Sequence, residues 1–273
     1  MTPTVSQIID TIDKEIAPGG LAESWDNCGL CAGNPDWPVK KILIGLDPGM
    51  PVMQAARAWQ ADMVLTHHPL FITPEKTIDF RTLPGSAIAM AAIERIAIVC
   101  AHTSLDKAWN GLNDFFSDCI NLVPTRPLAP DARAVDPGSP MTGFGRIGPV
   151  YPPVSVSQMA ARIKKGLGLN RVRLVGDPER MVRQVAVCTG SGGALIPEFL
   201  ECGADLYVTG DIKYHDARLV ESHGRALIDV GHFASEIIAV DLLSRKLKQA
   251  ATRAGYDLEI KKFTQETDPF TLV

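Results

Sequence analysis

The chain has 273 residues, of which 46% are hydrophobic and 21% charged, the balance of an ordinary globular protein with one large or two medium domains. The formal net charge of −4, without a block of Lys or Arg, argues against a nucleic-acid-binding protein, because such proteins usually carry a basic excess. No apolar run reaches the roughly 18 residues that span a bilayer, and the opening MTPTVSQIID lacks a signal-peptide pattern. We therefore expect no membrane association and a cytoplasmic location.

The first third of the chain alternates between helical and extended patterns. Apolar residues recur at helical spacing from Val5 to Ile16, and Thr4 with Gln7 forms a capping box at the start of this segment. Beyond it, the pattern predicts strands at 42–46, 63–66 and 98–101, with helices at 51–60 and 86–95. Alternation of this kind indicates βαβ units and a mostly parallel sheet.

A proline-rich stretch at 124–140 reads as a linker, and after it the first pattern returns. Residues 41–68 and 184–211 both read strand, turn, helix, Ala-Asp, strand and Thr, without a gap. We predict an α/β fold of two pseudo-repeated halves, each a mostly parallel sheet flanked by helices. We expect one α/β domain over 1–125 plus 226–273 and a second over 126–225.

Histidines and carboxylates gather directly after predicted strands. In parallel sheets, functional groups collect at the edge where the strands end, and imidazoles with carboxylates suit divalent transition metals. We therefore predict a metal site in the domain formed by 1–125 and 226–273. Its candidate members are His67, His68, His102, Asp106, His232 and Glu236. His102 is either a ligand or a neighbour that orients Asp106 or a water, and we assign tentative catalytic roles to His102 and Asp106.

Two further motifs allow a functional or a structural interpretation. Backbone amides of Gly190, Ser191, Gly192 and Gly193 could contact a phosphate where a strand meets a helix, and a tight β-to-α turn is the alternative. Cys28 and Cys31 form a CxxC motif, but no second pair completes a zinc ribbon. We interpret these two cysteines as small residues packed in a loop.

The motifs of this chain, in their order, resemble those of the Nif-three-like dinuclear metal-centre proteins, many of which carry the label GTP cyclohydrolase 1 type 2 homologue. The motifs that carry the resemblance are SWDNCGLCAG, LTHHPLF, HTSLDKAWNGLND, GFGRIG, TGSGG, GADLYVTGDIKYHDA and DVGHFASE. The resemblance covers nearly the whole chain. Cys28 and Cys31 depart from it, since aliphatic residues are more usual there, and so does Ser104, where Asn is common.

The resemblance implies two divalent ions, such as zinc, iron or manganese, and a homohexameric ring. The implied ligands are His67, His68, Asp106, His232 and Glu236. We expect a metal-dependent hydrolase that acts on a nucleotide or another small phosphorylated substrate. The alternatives are a non-catalytic metal chaperone or inserter, a regulatory interaction protein, and a hexamer in which the metal is purely structural.

Overall fold

Two five-stranded sheets carry the fold in this computed structural model, which describes residues 1–123, 125–132 and 141–271. The described strands are β1 Gly29–Ala32, β2 Lys41–Gly45, β3 Met63–Thr66, β4 Ala97–Cys100, β5 Ala129–Pro130, β6 Gly143–Phe144, β7 Arg146–Ser155, β8 Arg173–Val175, β9 Met181–Ser191, β10 Leu206–Gly210, β11 Ala226–Asp229 and β12 Glu259–Lys262. The described helices are α1 Val5–Glu15, α2 Met50–Trp59, α3 Gly85–Glu94, α4 Thr103–Lys107, α5 Leu112–Cys119, α6 Val156–Leu167, α7 Ile196–Glu201, α8 Tyr214–Ser222, α9 His232–Glu236 and α10 Ile238–Ala254.

The first sheet has the strand order β1-β4-β3-β2-β12. Its strands β4, β3, β2 and β12 are parallel, and β1 pairs with β4 in the antiparallel sense at the edge. Helix α1 begins at the predicted capping box, in which Thr4 and Gln7 each bind the other's backbone N–H. The strands and helices predicted for the first third of the chain are confirmed within a residue or two of their ends.

The second sheet has the order β7-β9-β10-β11-β8, with β9, β10 and β11 parallel and the two outer strands antiparallel to their neighbours. Its central run β11-β10-β9 repeats the run β4-β3-β2 of the first sheet, strand for strand in chain order. The predicted α/β fold of two related halves, each with a mostly parallel sheet and helices, is therefore confirmed.

The apolar side chains of the strands alternate between the two faces of a sheet and pack into apolar clusters there. In the second sheet Val187, Val208 and Ile228 face one apolar cluster. Tyr207 and Leu227, one position along the strands, face another apolar cluster on the opposite side. Neighbouring residues of a strand point to opposite faces, so a run of consecutive apolar residues indicates a sheet that is covered on both sides.

The described contacts divide the chain into two compact units. One comprises Met1–Ala108 with Ala239–Val273, and the other comprises Trp109–Ile238. The predicted domains differ from these units in residues 109–125 and 226–238. Both segments contact the second sheet, where β11 pairs with β10 and α5 packs on β9. The boundaries of the independently folding domains stay a prediction.

Part of the predicted linker folds back onto the second sheet. Strand β5 pairs with β6, and Arg126 exchanges two backbone hydrogen bonds with Ile147. Residues 124 and 133–140 of that linker lie outside the described residues. Across the described part of the chain, no helix is both long and apolar enough to cross a membrane.

Candidate metal centre

His67 and His68 directly follow β3, at the carboxyl edge of the first sheet. The backbone N–H of His68 donates to Leu46 O at 2.9 Å, which continues the pairing of β3 with β2 past the end of the strand. The side chain of His67 is fully buried, and its Nδ1 lies 2.9 Å from Ala101 O. The Nδ1 of His68 lies 2.7 Å from a carboxylate oxygen of Asp47.

His102 and Asp106 follow β4, the next strand of the same sheet. His102 is the residue that precedes α4, and its Nδ1 lies 2.9 Å from Oδ1 of Asp26. Asp106 lies within α4 and is buried, with its Oδ1 3.7 Å from Nε2 of His67. His67, His68 and His102 each bring one ring nitrogen to within 4.8 Å of the others, so three imidazoles of the first unit converge.

His232 and Glu236 follow β11 in the second unit and lie one turn apart in α9. The Nε2 of His232 lies 2.7 Å from Oε2 of Glu236, and its Nδ1 lies 2.7 Å from Oδ2 of Asp211. The neighbouring Glu236 carboxylate raises the pKa of His232 to about 9, with a smaller contribution from Asp211 and against the opposing effect of burial. A divalent cation beside Glu236 would take over the charge balance that the imidazolium provides here.

His67, His68, His102 and His232 share one restraint, since each has an oxygen acceptor beside its Nδ1 nitrogen. A backbone carbonyl or an ionised carboxylate can only accept, so Nδ1 carries the proton, and the lone pair of each neutral ring lies on Nε2. Burial raises the pKa of Asp26, but hydrogen bonds from His102, Thr103 and Cys28 together hold it below its usual value, so this carboxylate is ionised. Metal-binding histidines are characteristically held in this way by a carboxylate or carbonyl on the second nitrogen.

The donor set fits a divalent transition metal. Imidazole nitrogens and carboxylate oxygens are the ligands of zinc, iron and manganese in proteins, and His67, Asp106 and Glu236 are buried, as metal-site ligands commonly are. These His, Asp and Glu side chains could therefore hold a metal ion.

The three aspartates that hold the histidines were not among the predicted ligands. The sequence indicates Asp26 as the cap of a turn or part of the site wall, and Asp211 as a residue of the cleft or of a solvated loop, and it assigns no role to Asp47. One signal points to two of them: Asp47 precedes His68, and Asp211 precedes His232, by the same 21 residues. Each Asp follows one strand and each His follows the parallel neighbour, whose end lies at the same sheet edge.

The glycine segment 190–193 serves the local packing in the second unit. Strand β9 continues to Ser191, and a short 3-10 helix, Gly193–Leu195, leads into α7. The N–H of Gly190 donates to Ser235 Oγ at 2.8 Å, and the N–H of Gly192 to Gly210 O at 3.4 Å. A Cβ at Gly190 would lie 2.1 Å from Oε1 of Glu236, so the missing side chain leaves room for that carboxylate. The predicted phosphate contact of this segment stays a prediction.

Known proteins are similar to this chain in sequence and in fold. The family model Duf34/NIF3 (NGG1p interacting factor 3) matches residues 3–269. A Streptomyces coelicolor protein named "GTP cyclohydrolase 1 type 2 homolog" is 34% identical over 98% of this chain and 94% of its own length.

Solved structures extend the match. A Bacillus cereus protein "related to NIF3" superposes with a TM-score of 0.92 over all of both chains at 24% identity. The structure "Reduced HcgD from Methanocaldococcus jannaschii" superposes with a TM-score of 0.79, at 28% identity over 96% of this chain and 98% of that one. Because the family model spans nearly the whole chain, this protein belongs to the Duf34/NIF3 family.

Proposed function

We propose that the chain binds two divalent metal ions through His67, His68, Asp106, His232 and Glu236, and that it is a metal-dependent hydrolase. The observation that carries this proposal is the restraint on the four histidines, each of which has an oxygen acceptor on Nδ1. This acceptor fixes the orientation of each ring and thus the direction in which its Nε2 points, as a metal site requires.

The substrate class we propose is a nucleotide or another small phosphorylated molecule. The name of the Streptomyces coelicolor relative points to GTP as the first compound to test. Divalent ions supply Lewis-acid chemistry when bound, which suits the hydrolysis of a phosphorylated or purine substrate.

His102 is the residue we propose for proton transfer. Its Nδ1 is held by Asp26, whose side chain is buried, and 15% of the His102 side chain itself is exposed. Asp26 thereby keeps the proton on Nδ1 and leaves Nε2 free to accept a proton from an attacking water. Asp106 is proposed as a ligand that also orients the water, since its Oδ1 lies beside Nε2 of His67.

The metal proposal is tested first by elemental analysis of protein purified without a metal-binding tag. We expect about two equivalents of a transition metal in the wild type and loss of metal in the His67→Ala/Glu236→Ala double variant. Absence of stoichiometric metal from the wild type would overturn the proposed centre.

The hydrolase proposal is tested on the metal-loaded protein with GTP and other nucleotides. The informative variant is His102→Gln, which removes the proton acceptor and keeps the five proposed ligands. We expect it to retain its metal and to lose turnover by about 10²- to 10⁴-fold. A loaded wild type that turns over none of these substrates would contradict the hydrolase and favour a metal-handling role.

We also propose the homohexamer that the family resemblance implies. Exposed apolar side chains at Ile72, Phe80 and Leu83 lie on one segment of the first unit and suit burial against another copy. Sedimentation analysis of the purified protein is expected to give the mass of six chains, and a monomeric mass would contradict the ring.

A further inference from the structure

Two cysteine sulfurs meet at the edge of the first sheet. The Sγ atoms of Cys31 and Cys100 lie 3.7 Å apart, across the antiparallel pair of β1 and β4. Gly29 is the residue directly opposite Cys100, and a Cβ built on it would meet nothing within 4 Å. Cys100 therefore has no side chain directly opposite it on β1.

The register of the strands also favours this pair. Pairing of β1 with β4 is irregular between Leu30 and Ala32, the position of Cys31. Cys31 is thus the extra residue of β1, without a Cα partner on β4, and its sulfur reaches that of Cys100. Cys28 also interacts with the side chain of Cys100, and its thiol donates to Oδ2 of Asp26 at 3.0 Å.

Cys100, one of the two cysteines, lines a small cavity. It has a volume of about 260 Å³, and its lining includes Cys28, Cys100, Asp26 and Ser104. Cys100 itself is buried, with 2% of its surface exposed, so the cavity is the approach by which a small polar reagent would meet its thiol. Hydrogen peroxide has the polarity and size for such a space.

We propose that Cys31 and Cys100 form a reversible disulfide when a peroxide enters this cavity. One thiolate attacks a peroxide oxygen, the O–O bond breaks, and a sulfenic acid and one water result. The second thiol then attacks the sulfenic sulfur, forms the S–S bond and releases a second water. Two thiols are oxidised and one peroxide is reduced, and the sulfurs must approach each other by about 1.7 Å.

The disulfide acts on the loop that holds His102. Both thiols donate to Asn27 O, Cys100 at 3.1 Å and Cys31 at 3.8 Å. A disulfide has no S–H, so oxidation removes both of these hydrogen bonds. Asn27 is the neighbour of Asp26, whose carboxylate accepts from Nδ1 of His102, and the change therefore reaches the imidazole.

The pairing is tested on the metal-free full-length chain, so that it does not depend on the proposed metal function. The protein is treated with one equivalent of hydrogen peroxide, alkylated, digested without reductant and mapped by mass spectrometry. We expect a peptide pair joined through Cys31 and Cys100, lighter by two hydrogens, that dithiothreitol separates again. Cys31→Ser should abolish it and Cys202→Ser should keep it, because Cys202 lies in the second unit and donates to Phe199 O.

Three results would overturn the pairing. One is a disulfide that joins Cys28 to Cys31 or to Cys100 in place of the Cys31–Cys100 disulfide. The others are a wild type without any disulfide and a Cys31→Ser variant in which Cys100 still forms one. Circular dichroism tests whether Cys31→Ser is folded. If Cys31→Ser is unfolded, Cys31→Ala serves as the second variant, since Ala keeps the small volume of the half-buried side chain.

The effect on His102 is tested by NMR of histidine-labelled, metal-free protein, with the His102 resonance assigned through His102→Gln. We expect oxidation to shift that resonance in the wild type and in Cys202→Ser, and not in Cys31→Ser. An unchanged His102 resonance in fully oxidised wild type would overturn the coupling of the thiols to the histidine.

Discussion

Asp211 and His232 form the same contact in the second unit that Asp47 and His68 form in the first. In each pair a carboxylate oxygen lies 2.7 Å from Nδ1, and the two residues are 21 positions apart. The two pairs stand on different strands of the repeat, β2 with β3 and β10 with β11, and they arise alike because each Asp follows a strand and each His follows the neighbouring parallel strand. We infer that both aspartates position a histidine for metal binding.

Removal of either aspartate is expected to weaken metal binding. Asp211→Ala and Asp47→Ala should each lower the affinity by about 10- to 100-fold, because the imidazole loses the acceptor that orients it. Asp211→Asn should fall between, since its amide oxygen can still accept. Competition with a chromogenic chelator measures the affinity. Asp257→Ala, an exposed carboxylate, is the control, and equal affinities in all variants would contradict the positioning role.

Gly190→Ala is expected to disturb Glu236 as well as the backbone. Gly190 has φ +66°, where a side chain costs about 1–2 kcal/mol, and the added Cβ would lie 2.1 Å from Oε1 of Glu236. Gly224 has φ +62° with open space around its Cβ position. Gly224→Ala is thus a matched control that carries the backbone cost alone.

Both glycine variants should therefore lose stability in urea denaturation, and only Gly190→Ala should also lose metal affinity. Equal metal affinity in the two variants would show that Glu236 is displaced without consequence, or that it is not a ligand.

Asp114→Ala is expected to destabilise the second unit. Arg146 has 1% of its surface exposed, and its guanidinium binds Asp114 at 2.5 and 2.7 Å and the carbonyls of Gly143 and Gly145. Loss of the carboxylate leaves a buried cation with neutral partners only. We expect a loss of about 3 kcal/mol in the free energy of unfolding, measured by urea denaturation.

The control for this variant is an ion pair on the surface. Glu221→Ala breaks the exposed pair with Arg218 and should cost less than about 1 kcal/mol, because solvent screens that pair. A loss in Asp114→Ala as small as that in Glu221→Ala would contradict the assigned role.

Glu266 is expected to make stability depend on pH. Its carboxylate accepts from the N–H groups of Leu46 and Asp47, yet burial outweighs these bonds and raises its pKa. The folded state therefore holds this proton more tightly than the unfolded state does. The stabilisation is fully present below the unfolded pKa and is lost as the pH rises through the folded pKa.

The free energy of unfolding of the wild type, minus that of Glu266→Gln, should accordingly fall as the pH rises from below the usual Glu pKa of about 4.3 towards neutral pH. Urea denaturation across this range measures it, with the exposed Glu259→Gln as the control. A difference that rises with pH would reverse the assigned sign.

The sequence by itself determined the fold class and the edge of the sheets where the chemistry gathers. Apolar runs such as 63–66, separated by helical periodicity, are local signals, and the side chains after a strand end must lie at the sheet edge. His67, His68, His102 and Asp106 could therefore be predicted together, since they follow two adjacent parallel strands. The same reasoning grouped His232 and Glu236 with them in one domain, whereas the preceding strand β11 belongs to the second sheet.

Only the tertiary structure decided which groups hold these histidines and which cysteines meet. Asp26 reaches His102 across 76 residues, and Cys31 reaches Cys100 across 69 residues. Such contacts depend on the antiparallel β1, whose register beside β4 is set by packing rather than by a local pattern. From the CxxC motif we interpreted Cys28 and Cys31 as small residues packed in a loop, and the sequence named no partner for Cys31. The strand pairing brings Cys100 to Cys31, because cross-strand neighbours are fixed by the sheet and not by proximity in the chain.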